Sequence, residues 1–383
     1  MNRKKILWLC SWYPSGAAPF NGDFIQRHAK AAGIYNDIYV IHVSGFEKNR
    51  SNEIQSNGSG LTEQVILYKN QKGITGKLFN HFRWTKLFRR AVNDYILKNG
   101  KPDLVHVHVP IKAGLIALWI KKKFGIPYIV TEHWGIYNDV LPGGYAAKPG
   151  WFKQLTARIF SNAAGCLSVS NYLADNIKKY VLPGLNFNVI NNVVDTSLFY
   201  PSSKQKTKFR FIHVSNMVPL KDVQGILFAF ANLIKEKDAE LILVGSVETG
   251  LRELANSLGL LDQNVFFKGE VSYSTVASEM QQADCLVLFS IMENSPCVIG
   301  EALCCGIPII ATHVGGIPEL VATENSILVD PENPGQLTSA MKKVINDYDA
   351  YDKKQIAEAA QSRFSYSIIG KQFDDLYRSV ITS

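Results

Sequence analysis

Long hydrophobic runs are missing from this 383-residue sequence. None approaches the roughly 20 apolar residues that span a bilayer. At the N-terminus, Arg3-Lys4-Lys5 precedes Ile6-Leu7-Trp8-Leu9-Cys10. That run is too short for a signal peptide and reads as a first buried strand. Cysteine is sparse, and its six residues (10, 166, 285, 297, 304, 305) contain no C-x-x-C pair. They read as reduced core thiols of a cytoplasmic protein, not as a disulfide frame or a zinc site. No G-x-G-x-x-G fingerprint is present, which argues against a dehydrogenase. No RNA-binding motif stands out. Asp347-Tyr348-Asp349 has D-x-D spacing but lies in a polar tract, so no metal site is expected there. Internal repeats and long low-complexity segments are absent as well.

Acidic residues are scarce in one half only. Residues 1–200 hold 25 Lys/Arg against 11 Asp/Glu, a net +14, whereas residues 201–383 hold 16 against 22, a net −6. The first half is therefore expected to face something anionic, with nucleic acid and a membrane surface as the candidates. Hydrophobic content of 46% and charge of 19% describe a soluble chain with ample core. Its length suits two domains of ordinary size.

Apolar β-rich runs alternate with helical patterns, which predicts parallel sheets built from βαβ units. In the first half the strands are read at 6–10, 38–42, 65–68, 104–108, 128–131, 165–168 and 188–190. In the second they are read at 209–214, 240–244, 264–267, 285–289, 307–312 and 327–329. The polar stretch Phe199–Lys206 reads as a linker. Gly45–Gly60, rich in Ser, Asn and Glu, reads as a loop. Ile369, Phe373, Leu376, Tyr377 and Val380 follow helical spacing near the C-terminus.

The most informative run is Glu293-Asn294-Ser295-Pro296-Cys297-Val298-Ile299-Gly300-Glu301. It follows the apolar strand 285–289. Ser295 suits an N-cap and Pro296 the first helical position. The amides of Cys297 and Val298 would then point out of the strand's C-terminal end, where open α/β sheets bind ligands and helix N-termini favour phosphate. A carboxylate inside so apolar a stretch needs a polar partner.

From Ser290 to Val321, including Val314-Gly315-Gly316-Ile317-Pro318-Glu319, the chain closely resembles the Glu-x7-Glu signature of retaining glycosyltransferases of family four, the group 1 glycosyltransferases. The resemblance implies the GT-B fold, an α/β architecture of two Rossmann-like domains facing each other across a donor-binding cleft. It implies an acceptor-side domain over 1–200 and a nucleotide-sugar-binding domain over 201–365. The segment 366–383 would be a C-terminal helix returning to the first domain, with a plain terminal helix as the other reading.

The resemblance also implies roles. Glu301 would hold the ribose and Glu293 the transferred sugar, with Ser295, Cys297 and Val298 around the diphosphate. Gly22, in the turn Asn21-Gly22-Asp23, matches a glycine near the donor and acceptor. His133, in Thr131-Glu132-His133, matches a histidine on the sugar, and Glu132 is its neighbour. Lys221, in Val218-Pro219-Leu220-Lys221-Asp222, matches a lysine on the diphosphate, but Asn216 stands where the family has Arg. Gly269 and Val271 match the loop at the nucleobase. Asn192 and Asp195 resemble a structural turn at the end of the first domain.

The implied reaction moves a hexose or N-acetylhexosamine from a nucleotide-sugar to a glycan or lipid-linked acceptor, with no cofactor and no metal. Cell-surface polysaccharide biosynthesis is the expected setting, and no nucleic-acid partner is expected. An epimerase or phosphorylase on the same fold, or a non-catalytic nucleotide- or nucleic-acid-binding module, are the alternatives. Finally, Trp84, Leu87, Phe88, Ala91, Val92 and Tyr95 share one helical face, flanked by Arg83, Lys86, Arg89 and Arg90 with Lys69, Lys72 and Lys77 upstream. Two readings stand: an ordinary amphipathic helix, or peripheral docking to an anionic membrane at the inner face of the plasma membrane.

Overall fold

The computed structural model describes residues 3–46, 51–56, 58, 60–138, 140, 143–202, 208–246 and 249–382. Two compact units emerge, Met1–Val193 with Tyr366–Ser383, and Val194–Ser365. The division falls a few residues before the polar stretch read as a linker, because Val194 and Phe199 are already buried in the second unit's core. Residues 203–206 of that stretch lie outside the described residues.

The first unit runs β1 (Lys5–Cys10), α1 (Asp23–Tyr35), β2 (Asp37–Phe46), β3 (Ser51–Ser56), β4 (Leu61–Lys69), α2 (Gly73–Asn99), β5 (Leu104–His108) and α3 (Pro110–Phe124). It continues with β6 (Tyr128–Glu132), α4 (Gly150–Ser161), β7 (Gly165–Ser168), α5 (Asn171–Tyr180) and β8 (Phe187–Val189). Its sheet has the order β3-β4-β2-β1-β5-β6-β7-β8. All neighbours are parallel except the antiparallel pair β3–β4. The central strands β1, β5 and β6 are covered on both faces, which is why β1 reads as a continuous apolar run and why the histidines of β5 are buried.

The expectation of a loop over Gly45–Gly60 is corrected. β2 continues to Phe46, and Ser51–Ser56 pairs antiparallel with β4 as an edge strand. Its sequence, SNEIQS, is polar because five of its six residues are exposed. An edge strand with little to bury has no alternating pattern to betray it.

The second unit runs β9 (Phe209–Val214), α6 (Val223–Leu233), β10 (Ala239–Val244), α7 (Thr249–Ser257), β11 (Val265–Gly269), α8 (Tyr273–Gln282) and β12 (Cys285–Leu288). It closes with α9 (Cys297–Cys304), β13 (Ile309–Thr312), β14 (Ser326–Val329), α10 (Pro334–Asn346) and α11 (Lys353–Phe364). The sheet order is β11-β10-β9-β12-β13-β14, all parallel.

The last helix, α12 (Tyr366–Thr382), belongs to the first unit. Ile369, Phe373 and Tyr377 are fully buried in a cluster with Ile6, Trp8 and Ile25. Its Gly370 lies so close to α1 that a Cβ there would sit 2.2 Å from the Ala31 carbonyl oxygen.

On α2 the Trp84 face is that of an ordinary amphipathic helix. The Trp84, Phe88, Ala91, Val92 and Tyr95 face is packed into the core, with Leu87 at its margin. Trp84 also donates from Nε1 to the Val43 carbonyl at 2.9 Å. That face is therefore closed to lipid.

Candidate functional site

An open parallel sheet binds ligands where the strand order reverses, outside the strands' C-terminal ends. In the second unit that point lies between β9 and β12. The loops leaving these two strands are joined there by Ile291 N–H donating to the Leu220 carbonyl at 2.8 Å. Lys221, in a short 3-10 turn after β9, places its Nζ 2.5 Å from Glu293 Oε1. Ser290 Oγ donates to the same carboxylate oxygen at 2.8 Å. The two side chains are only 21% and 9% exposed, so the pair is largely shielded from water. Seventy-two residues separate them in sequence, and only the reversal of strand order brings them together.

The backbone of Glu293 is fixed from the other side by a glycine. Gly315 has φ +56°, and a Cβ there would lie 1.8 Å from the Glu293 carbonyl oxygen. Only glycine permits that approach. The next amide, Gly316 N–H, donates to that carbonyl at 3.3 Å.

α9 begins at Cys297, and Pro296 is its N-cap. The expectation that Ser295 would cap is thus corrected by one residue. Pro296 has ψ 121°, outside the helical range, so the helix starts after it. Ser295 is 8% exposed just ahead of the first turn. The amides of Cys297 and Val298 have no carbonyl a turn earlier within the helix, and they carry the positive end of its dipole. Glu301 follows in the second turn, 3% exposed, and Tyr273 OH of α8 donates to its Oε1 at 2.9 Å. The two glutamates therefore answer to different partners.

Asn216 sits on the loop after β9, where Ser246 Oγ donates to its carbonyl at 3.0 Å. The loop's shape depends on His213. Its Nδ1 donates to the Val287 carbonyl at 2.9 Å, so its Nε2 accepts from Ser215 Oγ at 2.7 Å. Ser215 Oγ in turn accepts the Met217 N–H at 2.9 Å. Burial holds His213 down at about 4, so the neutral tautomer is the working one. Gly269, φ +71°, ends β11, and its carbonyl accepts the Gly245 N–H at 2.9 Å. Val271 packs at the edge of the second unit's core.

In the first unit the strand order reverses between β1 and β5. Gly22 ends the turn after β1 with φ +74°, and its carbonyl accepts the Ile25 N–H that opens α1. A Cβ there would lie 2.8 Å from the Trp12 carbonyl carbon. Two residues on, Phe24 packs against His133 with ring centroids 5.0 Å apart, and Trp12 meets Trp134 edge-on at 6.0 Å. Gly22 and His133 are thus brought to one place.

His133 is only 8% exposed. Its ring stacks on His108 at 5.6 Å, with His108 Nδ1 and His133 Nε2 3.3 Å apart, and it lies 5.6 Å from His28. Burial, then the nearby His28 and His106, hold it well below the usual imidazole range, so it is neutral near pH 7. His106 joins the same group, hydrogen-bonded to Tyr377 OH of α12 at 2.8 Å and to Thr131 Oγ1 at 2.6 Å. The turn carrying His133 is shaped by Glu132. Its Oε1 accepts the N–H groups of His133 and Trp134 at 2.9 Å each, and its Oε2 accepts from Tyr137 OH at 2.8 Å. Burial pushes that carboxyl up to about 7 despite these bonds.

Asp195, read as structural, accepts from the Ser197 N–H and hydroxyl and so shapes a turn at the start of the second unit. Nothing in the sequence marks Tyr273, Ser290 or His213 for the site. The His-x-His at the end of β5 was visible there, but nothing in its spacing shows which imidazole meets His133. Among the described residues no group of three or more His, Cys, Asp or Glu side chains is placed to hold a metal.

Solved structures share this architecture. Sucrose-phosphate synthase from Thermosynechococcus elongatus superposes with a TM-score of 0.80 at 19% identity, covering 99% of this chain and 100% of that one. Anabaena HepE in complex with UDP gives 0.73 at 21%, covering 98% and 100%. Both sheets and their switch points therefore define a GT-B fold. Two family models match consecutive stretches: "Glycosyltransferase Family 4" over residues 26–198 and "Glycosyl transferases group 1" over residues 196–363. The chain belongs to the group 1, family-four glycosyltransferases. Among its relatives is TuaC of Bacillus subtilis, provisionally named a teichuronic acid biosynthesis glycosyltransferase, 25% identical over 97% of this chain and 95% of TuaC. Another is the N-acetyl-alpha-D-glucosaminyl L-malate synthase of Bacillus anthracis, 25% identical over 73% of this chain and 75% of that protein.

Proposed function

We propose that the protein is a retaining glycosyltransferase moving a hexose or N-acetylhexosamine from a nucleotide-diphosphate sugar to a glycan or lipid-linked acceptor in cell-surface polysaccharide biosynthesis. The observation that carries this reading is the shielded Lys221–Glu293 pair at the β9/β12 switch point, immediately before the N-terminus of α9. The donor diphosphate would lie over the Cys297 and Val298 amides and take a further hydrogen bond from Lys221, whose ammonium has three donors. Glu293 would accept hydroxyls of the sugar while keeping its bond to Lys221. Glu301, oriented by Tyr273, would accept the ribose hydroxyls. Gly269 and Val271 would line the base, Ser295 and Asn216 the phosphates, and Gly22 would let the donor approach the first turn. His133, neutral and 8% exposed, would donate to or accept from the sugar.

In the reaction the acceptor hydroxyl oxygen bonds to the anomeric carbon on the face the diphosphate leaves. The carbon–phosphate oxygen bond breaks, and that oxygen takes the hydroxyl proton. Charge grows on the leaving diphosphate, where Lys221 and the helix amides are fixed in advance, and such fixed donors stabilise a transition state most. These groups supply the neutralisation without a resident metal, so chelation is expected to leave the rate unchanged. Neither glutamate is assigned as nucleophile.

The relatives' names favour transfer over epimerisation, phosphorolysis or nucleic-acid binding. TuaC's name supports a surface-polysaccharide setting, and the UDP and UDP-glucose complexes of HepE support a uridine donor as the first trial. The deciding experiment incubates the protein with UDP-glucose and other nucleotide-sugars plus candidate acceptors and follows the anomeric proton by NMR. An α-linked product from an α-linked donor is expected. A β-linked product, or free sugar alone, would overturn the proposal.

A further inference from the structure

Although the Trp84 face of α2 is core, the same helix carries a second apolar face that no described residue covers. Ile74, Leu78 and Phe82 follow each other at i, i+4 and i+8, with Phe79 beside them, and they are 83%, 63%, 71% and 47% exposed. Side chains four apart share one helix face, so these four form a single stripe along the first turns. Isolated exposed apolar residues are ordinary, but a contiguous stripe on a soluble surface marks an interaction site.

The charge around the stripe says what fits it. From Lys69 to Arg90 the chain holds seven Lys/Arg residues and no Asp or Glu. Toward the helix C-terminus the stripe turns basic, and a shallow depression there is lined by Phe82, Lys86, Arg89 and Arg90 together with Asp94, which lies 3.6 Å from Arg90 and offsets one of these charges. Arg89 lies over the Trp119 ring at 5.2 Å and Arg83 over Tyr68 at 5.7 Å, so both are steadied against the fold rather than swinging free. An apolar stripe bordered by fixed cations matches a surface that is anionic outside and hydrocarbon beneath.

The geometry points to an anionic lipid bilayer as the partner of this face, with Ile74, Leu78, Phe79 and Phe82 entering the acyl boundary and Lys77, Lys86, Arg89 and Arg90 meeting the headgroups. Interfacial helices bind in this way, with strength set by buried apolar area and attraction to anionic lipid. A nucleic-acid site would use the cations but leave the apolar stripe in water, so the bilayer accounts for both features. No helix of the described residues is long and apolar enough to cross a membrane, so the contact is peripheral. It extends the transferase reading by bringing the enzyme to a lipid-linked acceptor, yet it is measured without donor or acceptor.

The test is sedimentation of the full chain with phosphatidylcholine vesicles and with vesicles of phosphatidylcholine and phosphatidylglycerol in equal parts. Binding to the anionic vesicles only is expected. Phe79→Ser with Phe82→Ser should weaken it by roughly tenfold or more. Lys77→Glu with Lys86→Glu should weaken it at least about twentyfold, since one basic residue near such a surface is worth roughly fivefold. All four positions are exposed, so unchanged thermal unfolding of the variants is expected and confirms that they fold. Absence of vesicle binding by the wild type would overturn the proposal. So would full binding by the phenylalanine variant together with tight binding to duplex DNA, which would make the surface a nucleic-acid site. A wild-type dimer that the phenylalanine variant splits, without vesicle binding, would give the face to a second copy of the chain. Any of these leaves the sugar-transfer experiment standing.

Discussion

The two units share one architecture but equip their switch points with opposite chemistry. In the second unit the loops after β9 and β12 present ions: Lys221 against Glu293, with Glu301 one helix turn further on. In the first, the corresponding ends of β1, β5 and β6 present neutral rings: Trp8, His106, His108 and His133, with His28 and Phe373 against them. The overall charges run the other way, since the basic half of the sequence holds the neutral ring cluster. Surface charge and site chemistry are thus independent. The first unit's cations lie on its outside, on α2 and its neighbours, and the second unit's acidic balance does not prevent it from fixing a lysine where a diphosphate would lie.

The largest expected effect comes from the ionic side. Glu293→Ala strands Lys221 and, on the proposed reading, removes the carboxylate that accepts the sugar hydroxyls, so turnover should fall about 100-fold or more, the range seen when a fixed polar group at a reacting centre is deleted. Near-normal turnover would mean that the pair is scaffolding.

Acid should separate the two units next. Burial holds His28 and His42 at about 4, and it holds His106, His108 and His133 well below their ordinary value. A histidine whose folded pKa is lowered contributes stability present above about 6.5 and lost as pH falls toward the folded value, by up to ~1.4 kcal/mol per pH unit. Glu132 acts in the opposite sense, because its folded pKa of about 7 makes the fold gain stability as pH falls from 7 toward 4.5. One carboxyl offsets little more than one of five histidines, so a net loss of at least about 2 kcal/mol between pH 7 and 5 is expected. The second unit has one histidine so buried, His213. Hydrogen exchange, corrected for its intrinsic pH dependence, should show β1, β5 and β6 losing protection before β9 and β12. Simultaneous loss would erase the distinction.

Donor binding is a smaller effect. Glu301→Ala should weaken nucleotide-sugar affinity about tenfold by calorimetry, the worth of one good hydrogen-bonded group. Tyr273→Phe, which removes the phenol that orients it, should cost less than that. Unchanged affinity in Glu301→Ala would move the ribose elsewhere. Smallest is His133→Ala, expected to slow transfer about fivefold with nucleotide affinity intact. A loss of nucleotide affinity without slower transfer would place His133 outside the sugar site.

Much of this was readable from the chain because burial writes itself into sequence. β12 and β13 are covered on both faces and appear as unbroken apolar runs, and a helix start close to Pro296 follows from local chemistry alone. β3 left no trace because an exposed edge strand buries nothing. Ser295 and Pro296 both suit a helix start, and only the backbone makes Pro296 the cap. The Lys221–Glu293 contact could not be read from periodicity, since its cause is the reversal of strand order across 72 residues. On α2 both apolar faces were present in the sequence, and only packing shows that the Trp84 face is spent on the core and the Phe82 face is not.

The central claim is that the second unit holds a nucleotide-sugar over α9 with Glu301 on its ribose. The most direct measurement is the thermal unfolding of wild type and Glu301→Ala across a panel of nucleoside diphosphates and nucleotide-sugars, because a ligand bound only by the folded state raises stability by mass action. The account predicts that at least one nucleotide-sugar raises the wild-type Tm by several degrees and the variant's by clearly less. No rise with any member of the panel, or the same rise in both proteins, would contradict it.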